Sequence, residues 1–428
     1  MTILDLLRTN RNYRRLWTGQ VVSEVGDHFN NIAVLSLALA HTGSGMSAAL
    51  VMLSRAIPAV MAGPLAGVVL DRLNRKYVMI LSDLLRAVLA LGFILAVARP
   101  GNWIIYAFSA LLMLASPFFT SGRSAILPTI TTHDELHAAN SITQVTGWLT
   151  LTIGAATGGL TVSRFGYKWA FVLNALSFVV SAWCISGLKA KTGSFQVERA
   201  VLSENDVVRP WQEYAQGLRY MRATPLILGI ALVGVGWATG GGAAQVLFSL
   251  FGELVFHRGP EGIGIIWSCA GLGLLVGGII AFFLARKLSF ENYKTTIVIC
   301  YLIHGGSYVV FSQMRNFGLA LLFIGLSRGA VAISSVLNQG QLLRHVDNRF
   351  RGRVFSTVES LQWSVMMLSM GAAGVASTFT NPRVIGMWAG IASSMTAIFW
   401  GWAHFSGRLP EPELQPPVEI EIHGDPVA

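Results

Sequence analysis

Residues 67–76 read GVVLDRLNRK, with Asp71, Arg72, Arg75 and Lys76 packed into six positions. An apolar run over 46–70 precedes this knot of charge and another over 77–98 follows it. Each run has the ~20 residues needed to cross a bilayer as a helix. Working outward, the same alternation fills the chain. Further runs fall at 15–40, 102–126, 140–163 and 168–188, then at 225–256, 261–285, 293–314, 317–343, 354–379 and 384–407. The pattern predicts an all-α membrane protein with twelve transmembrane helices in two six-helix halves.

Composition agrees. Apolar residues make up 53% of the chain, charged residues 12%, and the mean hydropathy is +0.57. Soluble domains carry about a quarter charged residues. The net charge of +10 does not signal nucleic acid, because the basic residues lie in short loops between apolar runs. Of 31 Lys and Arg, 22 fall on the side of the N-terminus, six on the other side, and Arg55, Arg86 and Arg328 inside runs. Basic loops stay cytoplasmic, so both termini are expected in the cytoplasm. The first run is too long for a cleavable signal peptide. Cys184, Cys269 and Cys300 are far apart and suggest neither disulfides nor a metal site. No nucleotide loop or nucleophile–base set occurs, so neither a cofactor nor an enzyme is expected.

The expected organisation is a half over 1–188, a cytoplasmic linker over 189–222, a second half over 223–408 and a disordered tail over 409–428. The linker holds a candidate amphipathic helix from Pro210 to Met221; the tail is rich in Pro and Glu. Runs four and ten both fade into polar sequence before a charged loop, a positional hint of an internal repeat.

The loop Gly67 to Lys76 resembles the signature of the major facilitator superfamily. Gly67, Asp71, Arg72, Arg75 and Lys76 match, and Asn74 stands at the usual second glycine. Further stretches, LWTGQVVSEVGD, LSDLLRA, AILP, ELHAANSI and RGRVFS, resemble the subgroup of macrolide efflux proteins and enterobactin exporters. That resemblance implies export of a drug-like or siderophore-like molecule by proton antiport. The place of action would be the bacterial cytoplasmic membrane, with the protein a monomer. The segment GAATGGL (154–160) keeps the glycines of the exporter motif in run five but lacks its proline. Physically, Gly67 would let two helices approach closely. Asp71 would pair with a cation such as Arg123, or face a helix N-terminus of the other half. Either contact forms a cytoplasmic gate, to which Glu359 near the start of run eleven would add a partner.

A charge at the bilayer centre is costly and normally faces a cavity or a partner. Gln20, Glu24, Asp27 and Asn31 fall at i, i+4, i+7 and i+11, one face of a helix. At a rise of about 1.5 Å per residue, Asp27 reaches roughly 18 Å past Arg15, and Arg55 reaches a similar depth from the other side. Two readings stand: Asp27 or Glu24 exchanges protons under the influence of Arg55, or it forms a salt bridge with Arg55 that only fixes packing. Asp83 and Arg86, at i and i+3, read as a within-helix pair. Arg328, with Ser335 and Gln339 on its face, reads as cavity lining for an anionic or polar substrate. Trp237 and Gln245 in run seven and Gln362 and Trp363 in run eleven complete the expected cavity. Competing functions are a lipid or lysolipid facilitator of the same fold and a non-transporting membrane receptor.

Overall fold

The computed structural model describes residues 3–99, 101–190, 194–196 and 210–412. Most of the expected linker, and the tail from 413, lie outside the described residues. The described chain is helical. A short helix, α1 (Ile3–Thr9), leads into α2 (Arg11–Thr42), α3 (Gly45–Arg72), α4 (Arg75–Gly92), α5 (Ile94–Ala98), α6 (Trp103–Ile130), α7 (His133–Phe165) and α8 (Tyr167–Ser186). Then follow α9 (Pro210–Ala223), α10 (Pro225–Leu250), α11 (Gly259–Ala285), α12 (Phe290–Gln313), α13 (Phe317–His345), α14 (Asn348–Ala376) and α15 (Pro382–Phe405). The third expected span is broken at Phe93 into α4 and α5, and α10 ends in a π turn over Phe251–Val255. Runs four and ten, which fade in hydropathy, continue as helix to Ile130 and His345.

Local chemistry sets the boundaries. The Asn10 side chain accepts from the Tyr13 amide at 3.0 Å and starts α2, and Gly43, at φ 62°, ends it. Ser44 caps the next helix at once, so α2 and α3 form a tight antiparallel pair. Asn74 caps α4 through its side chain, accepting from the amides of Lys76 and Tyr77. That explains an asparagine at a position where the family usually has glycine. Thr132 and Glu135 form a capping box at the start of α7.

Ten helices are long and apolar enough to span a membrane among the described residues. The other two needed for twelve spans, α2 and α14, have 32 and 29 residues and are long enough but more polar. They are the helices that carry the acidic stripe and Glu359.

One pattern of helix pairing occurs twice. In the first half α2 packs on α7 and α8, α3 on α6, and α4 on α6 and α8. In the second half α10 packs on α14 and α15, α11 on α13, and α12 on α13 and α15. Matching these pairings in order makes the halves a repeat. The halves meet through α7 with α11 and α3 with α14. α9 docks on α14, where Tyr220 stacks on Phe350 with ring centroids 4.8 Å apart.

The two ends of the bundle differ. Call the end that carries α9 the linker side. On the far side one apolar core runs through both halves, from Leu37 and Val51 to Phe248, Phe251 and Met370. On the linker side the cores are separate, one around Leu16, Met79 and Ile126 and one around Ile227, Tyr293 and Leu342. Glycines record the same asymmetry. A Cβ on Gly159 would lie 2.6 Å from the Pro260 carbonyl oxygen and 3.0 Å from Gly264 Cα, so the halves touch backbone to backbone there. A Cβ on Gly67, at the linker end of α3, would meet nothing within 4 Å. The expected close helix approach at Gly67 is therefore not made in this conformation, which is closed on the far side and parted on the linker side. Gly264→Val should cost about 1–3 kcal/mol by overpacking that seam, and Gly67→Val should stay within ~0.5 kcal/mol. Thermal unfolding of the two variants in detergent checks this, and equal losses would contradict the asymmetry.

Candidate functional site

A cavity of about 520 Å³ opens within the second half, between α10, α12, α13 and α14. Its walls include Trp237 and Gln245 on α10, Tyr301 on α12, Gln339 on α13, and Glu359, Gln362 and Trp363 on α14. The helices bring these together by period: Glu359, Gln362, Trp363 and Met366 recur every three or four residues on one face. Gly234 leaves the space that the Gln362 side chain fills. The indole Nε1 of Trp237 is buried without a hydrogen-bond partner, a donor available to a ligand. Apolar walls with a few polar groups suit an amphipathic molecule.

Five residues expected in the cavity from sequence, Trp237, Gln245, Gln339, Gln362 and Trp363, line it. Three do not. Gln20 and Asn31 lie on α2, in the other half, and no residue of α2 is part of this wall. Arg328 is 7% exposed and absent from the wall; its guanidinium carbon sits 5.0 Å from the Phe248 ring centre. Glu359, expected at the gate, lines the cavity instead.

The first half holds a network of charges centred on α2. Glu24 accepts three hydrogen bonds: from Gln20 Nε2 at 2.8 Å, from Arg123 Nη1 at 3.0 Å and from Thr150 Oγ1 at 2.9 Å. One carboxylate thus ties α2 to α6 and α7. Asp27 lies 3.8 Å from Arg86 Nη1 of α4, and its Oδ1 is buried without a hydrogen-bond partner. Arg86 also pairs with Asp83, as the i, i+3 spacing suggests, and its guanidinium lies between Phe119 and Phe178 at 4.6 and 4.3 Å. Glu24 and Asp27 remain 25% and 27% exposed, unlike Asp83 at 0%.

Two expected pairings are therefore replaced. Asp27 was expected on Arg55, but its ion pair is with Arg86; Arg55 donates to Asn30 Oδ1 at 3.1 Å. Arg55 is still close enough to act electrostatically on Asp27. Asp71 was expected on Arg123, but Arg123 reaches into the bundle to Glu24. Asp71 and Arg72 are exposed at the parted linker side and form no ion pair with a described residue. Arg75 and Lys76 do not bridge the halves: Arg75 donates to the Ala125 carbonyl at 2.8 Å and Lys76 to the Leu188 carbonyl at 3.0 Å, both within the first half. Thr150 went unnoticed in the sequence, since a lone threonine in an apolar run carries no signal. Arg86 had a signal, its depth in a run, but its short-range partner Asp83 concealed the longer one.

Comparison with known proteins places the chain in context. The family model for the Major Facilitator Superfamily matches residues 16–370. A putative bacilysin exporter of Bacillus subtilis is 26% identical over 83% of this chain and 85% of its own. Macrolide efflux protein A of Streptococcus pyogenes is 22% identical over 86% and 89%. The multidrug efflux pump Tap of Mycolicibacterium fortuitum is 26% identical over 82% and 85%. Among solved structures, a bacterial homologue of the iron transporter ferroportin in an inward-facing state superposes with a TM-score of 0.68 at 17% identity. It covers 91% of this chain and 98% of its own, and the likeness is one of fold.

Arg86 is the residue on which the network of the first half hangs. Arg86→Leu leaves Asp83 and Asp27 uncompensated and should cost about 3–5 kcal/mol. Asp83→Asn in that background should recover part of the loss. Thermal unfolding and the monodisperse fraction in detergent report both, and a silent Arg86→Leu would show that the pairs carry no stability.

Proposed function

Because the chain belongs to the major facilitator superfamily, we propose that it exports an amphipathic small molecule across the bacterial cytoplasmic membrane in exchange for protons, by alternating access. The observation that carries this reading is a substrate-sized cavity on a bundle that is parted on the linker side and sealed on the far side. With 22 of 31 Lys and Arg on the linker side, that side faces the cytoplasm. The cavity then loads from the cytoplasm, as an exporter must. The efflux names of the relatives point the same way.

The chemistry of α2 suggests which carboxylate moves protons. Glu24 is held by three donors, one of them a guanidinium, and these bonds join three helices. Asp27 has one contact at 3.8 Å and an oxygen with no partner. It gives up less when protonated, so Asp27 is the proton carrier and Glu24 the tie between helices. Protonation of Asp27 would free Arg86 to rest on Asp83 alone, loosening α2 from α4. In the opposite state the linker side closes. Asp71 and Arg72, which form no ion pair with a described residue here, would then meet the other half as a latch.

Proteoliposomes with an imposed pH gradient test the reading over macrolides, siderophores, cationic dyes and lysolipids. The wild type should accumulate at least one of these against its gradient. Asp27→Asn should lose uphill accumulation while retaining exchange of substrate at equal concentrations. Uphill transport by Asp27→Asn at the wild-type rate would remove Asp27 from the proton path. Redistribution of lysolipid independent of the gradient would instead make the protein a facilitator.

A further inference from the structure

Arg328 is buried in the second half and no carboxylate of a described residue faces it. It makes no ion pair and no hydrogen bond to a described side chain; its charge meets the Phe248 ring and interacts with Tyr308. A cation–π contact offsets only part of the cost of a buried charge. Two more donors around the same ring lack partners. Tyr308, 2% exposed, has a buried hydroxyl with no hydrogen bond, and its ring centre is 6.4 Å from that of Phe248. Trp267, 9% exposed, has a buried Nε1 with no acceptor, and its ring meets Phe248 edge-on at 5.1 Å. Buried polar groups of this kind are normally satisfied, and a cluster of unsatisfied donors calls for an acceptor.

None of these residues is in the cavity wall, but helical register places Arg328 and Tyr308 just past its far end. Val331 and Ser335 on α13 line the cavity, and Arg328 precedes them by three and seven residues on the same face, one turn nearer the sealed side. On α12, Tyr301 lines the wall and Tyr308 is two turns further along the same face. On α10, Gln245 lines it and Phe248 is one turn beyond. Two of these helices thus continue the wall to one guanidinium and one open donor, Arg328 on α13 and Tyr308 on α12, and the Phe248 ring on α10 links them to the open donor of Trp267 on α11.

We propose that Arg328, with Tyr308 and Trp267, is an anion-binding site at the closed end of the cavity that holds the carboxylate of the transported molecule. This rests on the transport reading and narrows its substrate to amphipathic organic acids or zwitterions. The apolar body lies against Trp237 and Trp363, and the carboxylate accepts from Arg328 and Tyr308. No acid in the cluster competes for the guanidinium.

The test is equilibrium binding to the purified full chain in chloride-free buffer, with three probes that share a dansyl group. One ends in a carboxylate (dansylglycine), one in the neutral amide and one in an amine. The wild type should bind the carboxylate at least about tenfold tighter than the amide, the factor that about 1.4 kcal/mol supplies. Arg328→Gln should remove that preference, Arg328→Lys should keep part of it, and Tyr308→Phe should weaken the carboxylate more than the amide. Melting curves establish that each variant is folded; if Arg328→Gln is not, the wild-type ranking and Tyr308→Phe decide. Equal binding of the three probes, a preference for the amine, or an intact preference in Arg328→Gln overturns the proposal. Displacement of the carboxylate probe by millimolar chloride overturns it too, assigning the site to an inorganic anion. Because binding is read without a gradient, loss of uphill transport with the preference intact would sink proton export alone. Transport without the preference would sink this inference alone.

Discussion

Charge in a hydrocarbon layer has to find a partner, and in this protein that requirement organises the first half. Helix α2 carries Glu24 and Asp27 through the bundle, and it can do so because α4 and α6 bring Arg86 and Arg123 to meet them. Each pair crosses between helices, so the electrostatic solution is also a packing solution. With Asp83 and Arg55 the group comes to three acids and three arginines. The second half solves the problem differently. There the buried cation Arg328 rests on an aromatic ring, and a polar wall surrounds a void.

The division of labour follows from this. In the proposed transport cycle the paired charges of the first half serve proton exchange, because a proton can be taken up there without exposing an unpaired ion. An unclosed set in the other half can accept an outside ligand. The halves communicate where they touch, along α7 with α11 and α3 with α14. The glycines Gly159 and Gly264 bring backbones into contact on the far side, while the linker ends stand apart. Asp71, exposed at the parted end, forms no ion pair with a described residue.

Much of the fold was legible from residues 67–76 outward. Hydropathy marks ten of the spans, and length marks the more polar α2 and α14, because in lipid each backbone group must be satisfied within its own segment. The stripe Gln20, Glu24, Asp27 and Asn31 was legible as a stripe, since helical period is local. Its partners were not. Arg55 lies on the next helix in sequence and at the right depth, yet α2 packs chiefly against α7 and α8, so the partners come from helices that sequence order does not bring near. The aromatic and amide wall over Trp237, Gln245, Gln362 and Trp363 was legible because large and polar groups stand out in apolar runs. Arg328 was legible as unusual and misplaced by one turn, because hydropathy gives depth in a span but not the end of a void.

What the sequence by itself determined is therefore the set of spans and which helix carries the charges. These depend on transfer from water to lipid and on period along one helix, both local quantities. What only the tertiary structure decided is who pairs with whom, that the cavity lies in the second half, and that the linker side is the open one. Pairing and voids arise where separate helices meet. They depend on rotation and approach between segments a hundred residues apart, about which neighbouring residues in the chain carry no record.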